Sequence, residues 1–177
     1  MSSRRTLYII DAYSLIFQVF HAIPLMTGPS GQPTNAVFGI FRDLLTLLRS
    51  RKPDYLAAAF DGAGRVFRSD LDAEYKANRK AMPEDLVPQI PVIRRVFEAF
   101  NIPVLMAEGF EADDLIATLA RRAEARELDV YLCTADKDAR QLLDEHTFLF
   151  NLRKNQVMDV AGLQADWGVR PDQVVDL

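Results

Sequence analysis

Seven carboxylates stand where this chain could do chemistry. Asp11 closes the apolar run 7–10, and Asp61 closes the apolar run 55–60. Glu111, Asp113 and Asp114 fall together after Gly109, while Asp136 and Asp138 follow the run 130–134. Acids at the mouths of several buried strands repel one another unless something positive lies among them. With oxygen as almost the only ligand on offer, Mg2+ or Mn2+ suits them best. A pair of such ions held by shared carboxylates cleaves phosphodiesters. Taken alone, the 111–114 acids would serve a helix dipole and Asp138 a helix cap. The agreement of four separate segments carries the metal reading.

The elements that must position these acids alternate in type. Strands are expected at 6–10, 55–60, 103–106 and 130–134, with two brief ones at 147–150 and 156–159. Helices are expected at 12–22, 34–50, 84–100 and 112–126, a short one near 139–144, and a last one from Val160 to Trp167. The spacing of Val37, Ile40, Phe41, Leu44, Leu45 and Leu48 is helical, as is that of Ala112, Leu115, Ile116, Leu119, Ala120 and Ala123. Thr34 reads as an N-cap, and Pro88 and Pro91 fall in the early turns of their helix. Such alternation predicts an α/β fold, a parallel-rich sheet with helices on both faces. Ligands of these sheets bind at the carboxyl ends of the strands, which is where Asp11, Asp61 and Asp136 lie.

Composition narrows the class further. The net charge is −4, but without the seven acids the remaining 18 of the 25 Asp and Glu face 21 Lys and Arg. A protein acidic at one pocket and mildly basic elsewhere can still hold a polyanion. No apolar run is long enough to cross a bilayer, and the start is too brief for a signal peptide, so a cytoplasmic protein without a membrane partner is expected. Cys133 is the one cysteine; it reads as a buried small hydrophobe. His21 and His146 have no partner at zinc-ligand spacing.

Residues 62–82 are charged and carry few large apolar side chains, so a mobile or only locally helical arm is expected there. Lys76 and Arg79 would share one face of any helix, with Tyr75 beside them, and Arg65, Arg68 and Lys80 extend the positive surface. Basic groups interleaved with an aromatic suit single-stranded nucleic acid: they grip phosphates and stack a base. The segment 28–35 reads as a turn into a helix, and the N–H groups at Thr34 and Asn35 could touch DNA.

These residues resemble the 5′ nuclease domain of bacterial DNA polymerase I, with flap endonucleases as more distant relatives. The resemblance rests on Asp11-Ala-Tyr-Ser14-Leu, Pro33-Thr-Asn-Ala-Val-Phe-Gly39, Phe60-Asp61, Phe67-Arg68 and Glu74-Tyr75-Lys76-Ala-Asn-Arg79. It continues through Gly109-Phe-Glu111-Ala-Asp113-Asp114, Thr134-Ala-Asp136-Lys-Asp138 and Trp167-Gly168-Val169-Arg170-Pro171. It implies a PIN-like three-layer fold and metal-dependent 5′→3′ exonuclease or flap-endonuclease action on DNA 5′ ends or flaps, with the polymerase domain in cis.

The resemblance also implies a two-ion Mg2+ or Mn2+ site. Asp11, Asp61, Glu111 and Asp113 would hold the first ion, and Asp136 and Asp138, with Asp114, the second. Lys76 and Arg79 would steer the scissile phosphate and offset its charge, and Tyr75 would stack on or orient the strand. Ala12 stands where the family usually has glycine. Gln18 stands where it usually has arginine, which removes a phosphate contact. The family continues past Leu177 into another aspartate pair and a helix-hairpin-helix element, so weak second-ion binding and low cleavage are expected of this stretch alone. Two alternatives stay open: a PIN-type ribonuclease, and a nucleic-acid-binding remnant without catalysis. A haloacid-dehalogenase phosphatase is disfavoured, because Tyr13 rather than an acid follows Asp11 by two.

Overall fold

The computed structural model describes residues 4–62 and 81–176. Six strands form one sheet in the order β3-β2-β1-β4-β5-β6. They are β1 (Thr6–Asp11), β2 (Tyr55–Ala59), β3 (Val104–Leu105), β4 (Asp129–Cys133), β5 (Thr147–Asn151) and β6 (Gln156–Met158). All neighbours are parallel except the β5–β6 hairpin. The helices are α1 (Ala12–Ala22), α2 (Asn35–Ser50), α3 (Gln89–Ala99), α4 (Ala112–Glu124) and α5 (Val160–Trp167). Two 3-10 turns join them, η1 (Asp138–Leu142) and η2 (Pro171–Asp176). The expected α/β architecture, with its parallel-rich sheet flanked by helices, is therefore present.

Successive strand side chains point to opposite faces, and β1 feeds two cores. Tyr8 and Ile10 pack with α1, α2 and α3 on one face. Leu7 and Ile9 pack with α4, η1 and α5 on the other. β1 lies between β2 and β4 and is buried on both faces, which is why it reads as a continuous apolar run. α1 and α2 approach closely at Gly39, where an added Cβ would come within 2.2 Å of Val19 and 2.5 Å of Ile23. Any side chain there would push the two helices apart.

Several expectations are corrected. The expected helix 84–100 begins only at Gln89. Residues 84–88 are turns, and Pro88 takes the N-cap position. A ring nitrogen without a proton costs nothing in a first turn, so both prolines are accommodated there. The strand expected at 103–106 is only Val104–Leu105, at the sheet edge. The short helix at 139–144 is the 3-10 turn η1, and η2 was not anticipated. Phe41, placed on the buried stripe of α2 by its spacing, is 47% exposed and packs on Phe100, while Leu47 is buried instead.

The expected arm lies almost wholly outside the described residues, as do Arg65, Arg68, Tyr75, Lys76, Arg79 and Lys80. Its two ends belong to the body. Gly62 donates its N–H to Phe110 at 3.0 Å and lies so close to Ala107 that a Cβ would meet that carbonyl at 1.9 Å. Met82 packs against the α1–α3 core.

Candidate metal centre

The carboxyl ends of β1, β2 and β4 open at one rim, and the acids gather there. Asp11 is the last residue of β1 and the N-cap of α1. It is buried, and both its oxygens are engaged: Oδ1 accepts from Ser14 N–H at 3.1 Å and Oδ2 from the Thr134 hydroxyl at 2.8 Å. Burial raises the Asp11 carboxyl above its ordinary range. The two hydrogen bonds pull it down, and the charges of Asp61 and Asp136 push it further up.

Asp61 follows β2 and accepts from Ala112 N–H at 2.9 Å, which ties it to the first turn of α4. Glu111 is the buried N-cap of that helix, and Asp114 reaches back to its N–H at 3.0 Å as one half of a capping box. Asp113 projects from the same turn. Partial desolvation, followed by the charges of Asp11, Asp136, Asp61 and Glu111, pushes its carboxyl up to about 6. Asp136 sits beyond β4, where its Oδ1 accepts from Asp138 N–H at 2.9 Å and so opens η1.

Two adjoining hollows result. A cleft of about 680 Å3 is lined by Asp11, Asp61, Asp113, Asp136 and Asp138, with Phe17, Gln18 and His21 of α1 along its other wall. A smaller one of about 330 Å3, between α4 and η1, shares Asp113 and Asp138 and adds Glu111 and Asp114. All seven acids expected from the sequence thus border one or other of two hollows that share Asp113 and Asp138. The acids are spread around them, as like charges require. Among the described residues no three His, Cys, Asp or Glu side chains are gathered tightly enough to hold an ion as they stand.

The scaffold of the rim includes residues that the sequence reading passed over. Thr134 donates to Asp11 and accepts from Asp136 N–H at 3.0 Å, so one hydroxyl spaces two acids. Ser14 accepts from Ala135 N–H at 2.9 Å, linking α1 to the acidic loop after β4. The signal for Thr134 was its place at a strand end, two residues before an acid.

The other DNA-facing candidates fare differently. Asn35 is 2% exposed; its amide donates to the Phe20 and Ile23 carbonyls at 3.1 and 3.2 Å and its oxygen accepts from Gln89. Gln89 in turn caps α2, accepting from Ala36 and Val37 N–H at 2.8 and 3.2 Å. Those N–H groups are therefore not open to a phosphate. Thr34 makes no side-chain cap; its hydroxyl donates to the Met26 carbonyl at 3.2 Å. His146 is half-buried, with Nδ1 3.1 Å from Asp129. Among the described residues no helix is long and apolar enough to cross a membrane.

The comparisons with known proteins agree with this geometry. Residues 6–168 match the family model of the 5′-3′ exonuclease N-terminal resolvase-like domain. This chain belongs to that family. The DNA polymerase I of Rhizobium leguminosarum is 41% identical over 97% of the chain, which spans 18% of that protein. The 5′-3′ exonuclease of Aquifex aeolicus is 35% identical over 97% of the chain, here 60% of the relative. The chain thus spans about a fifth of the polymerases it matches and under two thirds of the Aquifex aeolicus exonuclease. Among solved structures, the T5 5′-exonuclease with bound zinc superposes with a TM-score of 0.76 at 21% identity, covering 98% of this chain and 65% of that one. The catalytic core of Rad2 with DNA gives 0.55 at 18% identity, over 97% and 52%. At such identities these neighbours establish a shared fold.

Proposed function

We propose that this chain is the acid-bearing part of a divalent-metal-dependent 5′→3′ exonuclease and flap endonuclease, acting on DNA 5′ ends or flaps alongside a DNA polymerase I. The observation that carries the reading is the placement of seven acids from four chain segments around two hollows that share Asp113 and Asp138. Their fit to a hard divalent cation rests on the donor set, which is oxygen throughout, and on the desolvation and then the crowding of like charge that lift Asp113. Asp11, Asp61, Glu111 and Asp113 would hold one Mg2+ or Mn2+, and Asp136, Asp138 and Asp114 a second. When bound, such ions make hydroxide available near neutral pH and stabilise the leaving oxygen.

The chain's own residues supply the positioning. Ser14 and Thr134 fix Asp11, Ala112 N–H fixes Asp61, and the capping box fixes Glu111 against Asp114. Lys76, Arg79 and Tyr75 retain their proposed roles of offsetting phosphate charge and orienting the strand. The test is cleavage of a 5′-labelled DNA flap and of the matching RNA. We expect Mg2+- or Mn2+-dependent cutting of DNA, abolished by EDTA and by Asp113→Asn. Cutting that persists in EDTA, or that acts on RNA alone, would overturn the reading.

A further inference from the structure

A second, larger cleft of about 790 Å3 adjoins the acidic one, sharing Ala135 and Asp136 as their common ridge. It lies between the β5–β6 hairpin and α5, and its chemistry is different. Leu149, Met158 and Ala165 contribute an apolar lining, and Lys154, Asn151 and Gln156 bring polar groups to it. Asn151 is committed to the hairpin turn, accepting from Lys154 N–H at 2.9 Å. Arg140 is committed too, with its guanidinium 3.0 Å from Asp166 and 3.8 Å over the Trp167 ring. Lys154 and Gln156 are exposed, and among the described residues their side chains have no hydrogen-bond or ion partner.

We propose that this cleft is a nucleotide-binding groove that receives the single strand leaving the acidic mouth across the Ala135–Asp136 ridge. The inference rests on the nuclease reading above. A strand whose phosphate is held at the acids must continue away from them, because its further phosphates are repelled there. The ridge borders a neighbouring cleft that offers an uncommitted ammonium, that of Lys154, for a phosphate. Its apolar lining can take a base face, and the Gln156 carboxamide, donor and acceptor at once, can pair with a base edge. Its volume lies within the range of small-ligand sites.

The test is fluorescence anisotropy of the full chain with a labelled thymidine octanucleotide in EDTA, so that the strand is not cut. We expect Lys154→Glu to weaken binding about five- to tenfold through loss of one phosphate contact, and Gln156→Ala to weaken it by a smaller factor. Arg122→Glu, the same charge reversal beside β3, should leave it nearly unchanged. A 5-iodo-deoxyuridine oligonucleotide should cross-link to the segment 151–158. Equal losses from Lys154→Glu and Arg122→Glu, cross-links confined to other segments, or no binding by the unsubstituted chain would each overturn the groove. Flap cleavage in Mg2+ is scored separately. Cleavage that survives while the groove variants bind normally sinks only the groove, whereas absence of both binding and cleavage sinks the nuclease reading as well.

Discussion

The first turns of α1 and α4 are capped by carboxylates at the acidic mouth, whereas that of α2 is capped inside the core by the neutral carboxamide of Gln89. All three helices face the same problem of N–H groups with no partner in the helix. Surroundings decide the solution. In a dry core an unpaired carboxylate would cost far more than an amide, so the cap is neutral. At an open rim the positive end of a helix is where an acid is best tolerated. Asp11, Asp61 and Glu111 therefore hold backbone in place before any cation arrives, and the candidate ligands are also local structure.

The strongest way to break this comparison is at the buried cap. Gln89→Ala leaves the Ala36 and Val37 N–H groups and the Asn35 oxygen without their partner and opens a void. The expected loss is about 2–4 kcal/mol, from unsatisfied buried polar groups plus a cavity. Urea unfolding would measure it, with cleavage per folded molecule unchanged. A loss below about 1 kcal/mol would mean that the cap is ornamental.

Next comes a contrast within the rim. Asp11→Asn and Asp113→Asn should both reduce cleavage about a hundredfold or more, the scale for removing one preorganised charge-stabilising group. Their metal-free stabilities should diverge. Asp11 is a cap with both oxygens engaged, so its amide variant should lose about 1 kcal/mol. Among the described residues no hydrogen bond to Asp113 offsets the desolvation and repulsion that raise its carboxyl, so Asp113→Asn should melt at or above the temperature of the unsubstituted protein. Equal melting shifts would erase the distinction between ligand and cap.

A smaller effect follows from pH. Asp113 is raised from 3.8 to about 6 and Asp11 is raised as well, so the folded protein holds these protons more tightly than the unfolded chain. Their contribution is most favourable below the unfolded value and is lost as pH rises through about 6. Metal-free stability should therefore carry a component that falls between about pH 4 and pH 6. Millimolar Mg2+ should reverse that fall by binding the ionised folded form. Scanning calorimetry with and without Mg2+ checks it. A metal-free profile that falls no further across this window in the parent than in Asp113→Asn would refute the assignment.

How far the sequence could be read follows the same division. Asp11, Asp61 and Asp136 were legible because each follows an apolar run that is short enough to be a strand, and β1, β2 and β4 do end there. α1 and α5 were legible to the residue, because Asp11 and Asp159 stand at their starts as local caps. Gln89 was not, because it lies more than fifty residues from the N–H groups it caps, and no local pattern marks a long-range cap. The same blindness made the start of α2 look open to phosphate. Phe41 shows the limit of periodicity, which marks a stripe without saying how wide the covered part of it is.

The smallest expected effect is optical, and it ties the rim to the groove beside it. Trp167 is the only tryptophan in the chain. Its ring carries the Arg140 guanidinium at 3.8 Å and the Lys137 ammonium at 5.9 Å. Lys137 stands between Asp136 and Asp138, so any cation settling on those two acids changes the field on the ring and the pull on Lys137. Titration with Mg2+ should shift or quench Trp167 emission by roughly a tenth, since neither acid touches the ring and only the placement of nearby charge changes. Asp138→Asn should suppress the response, and Lys137→Ala should reduce its size without moving its midpoint. A midpoint unchanged by Asp138→Asn would show that the ion sensed by Trp167 lies elsewhere, and would sever the acidic loop from the second-ion role proposed for it.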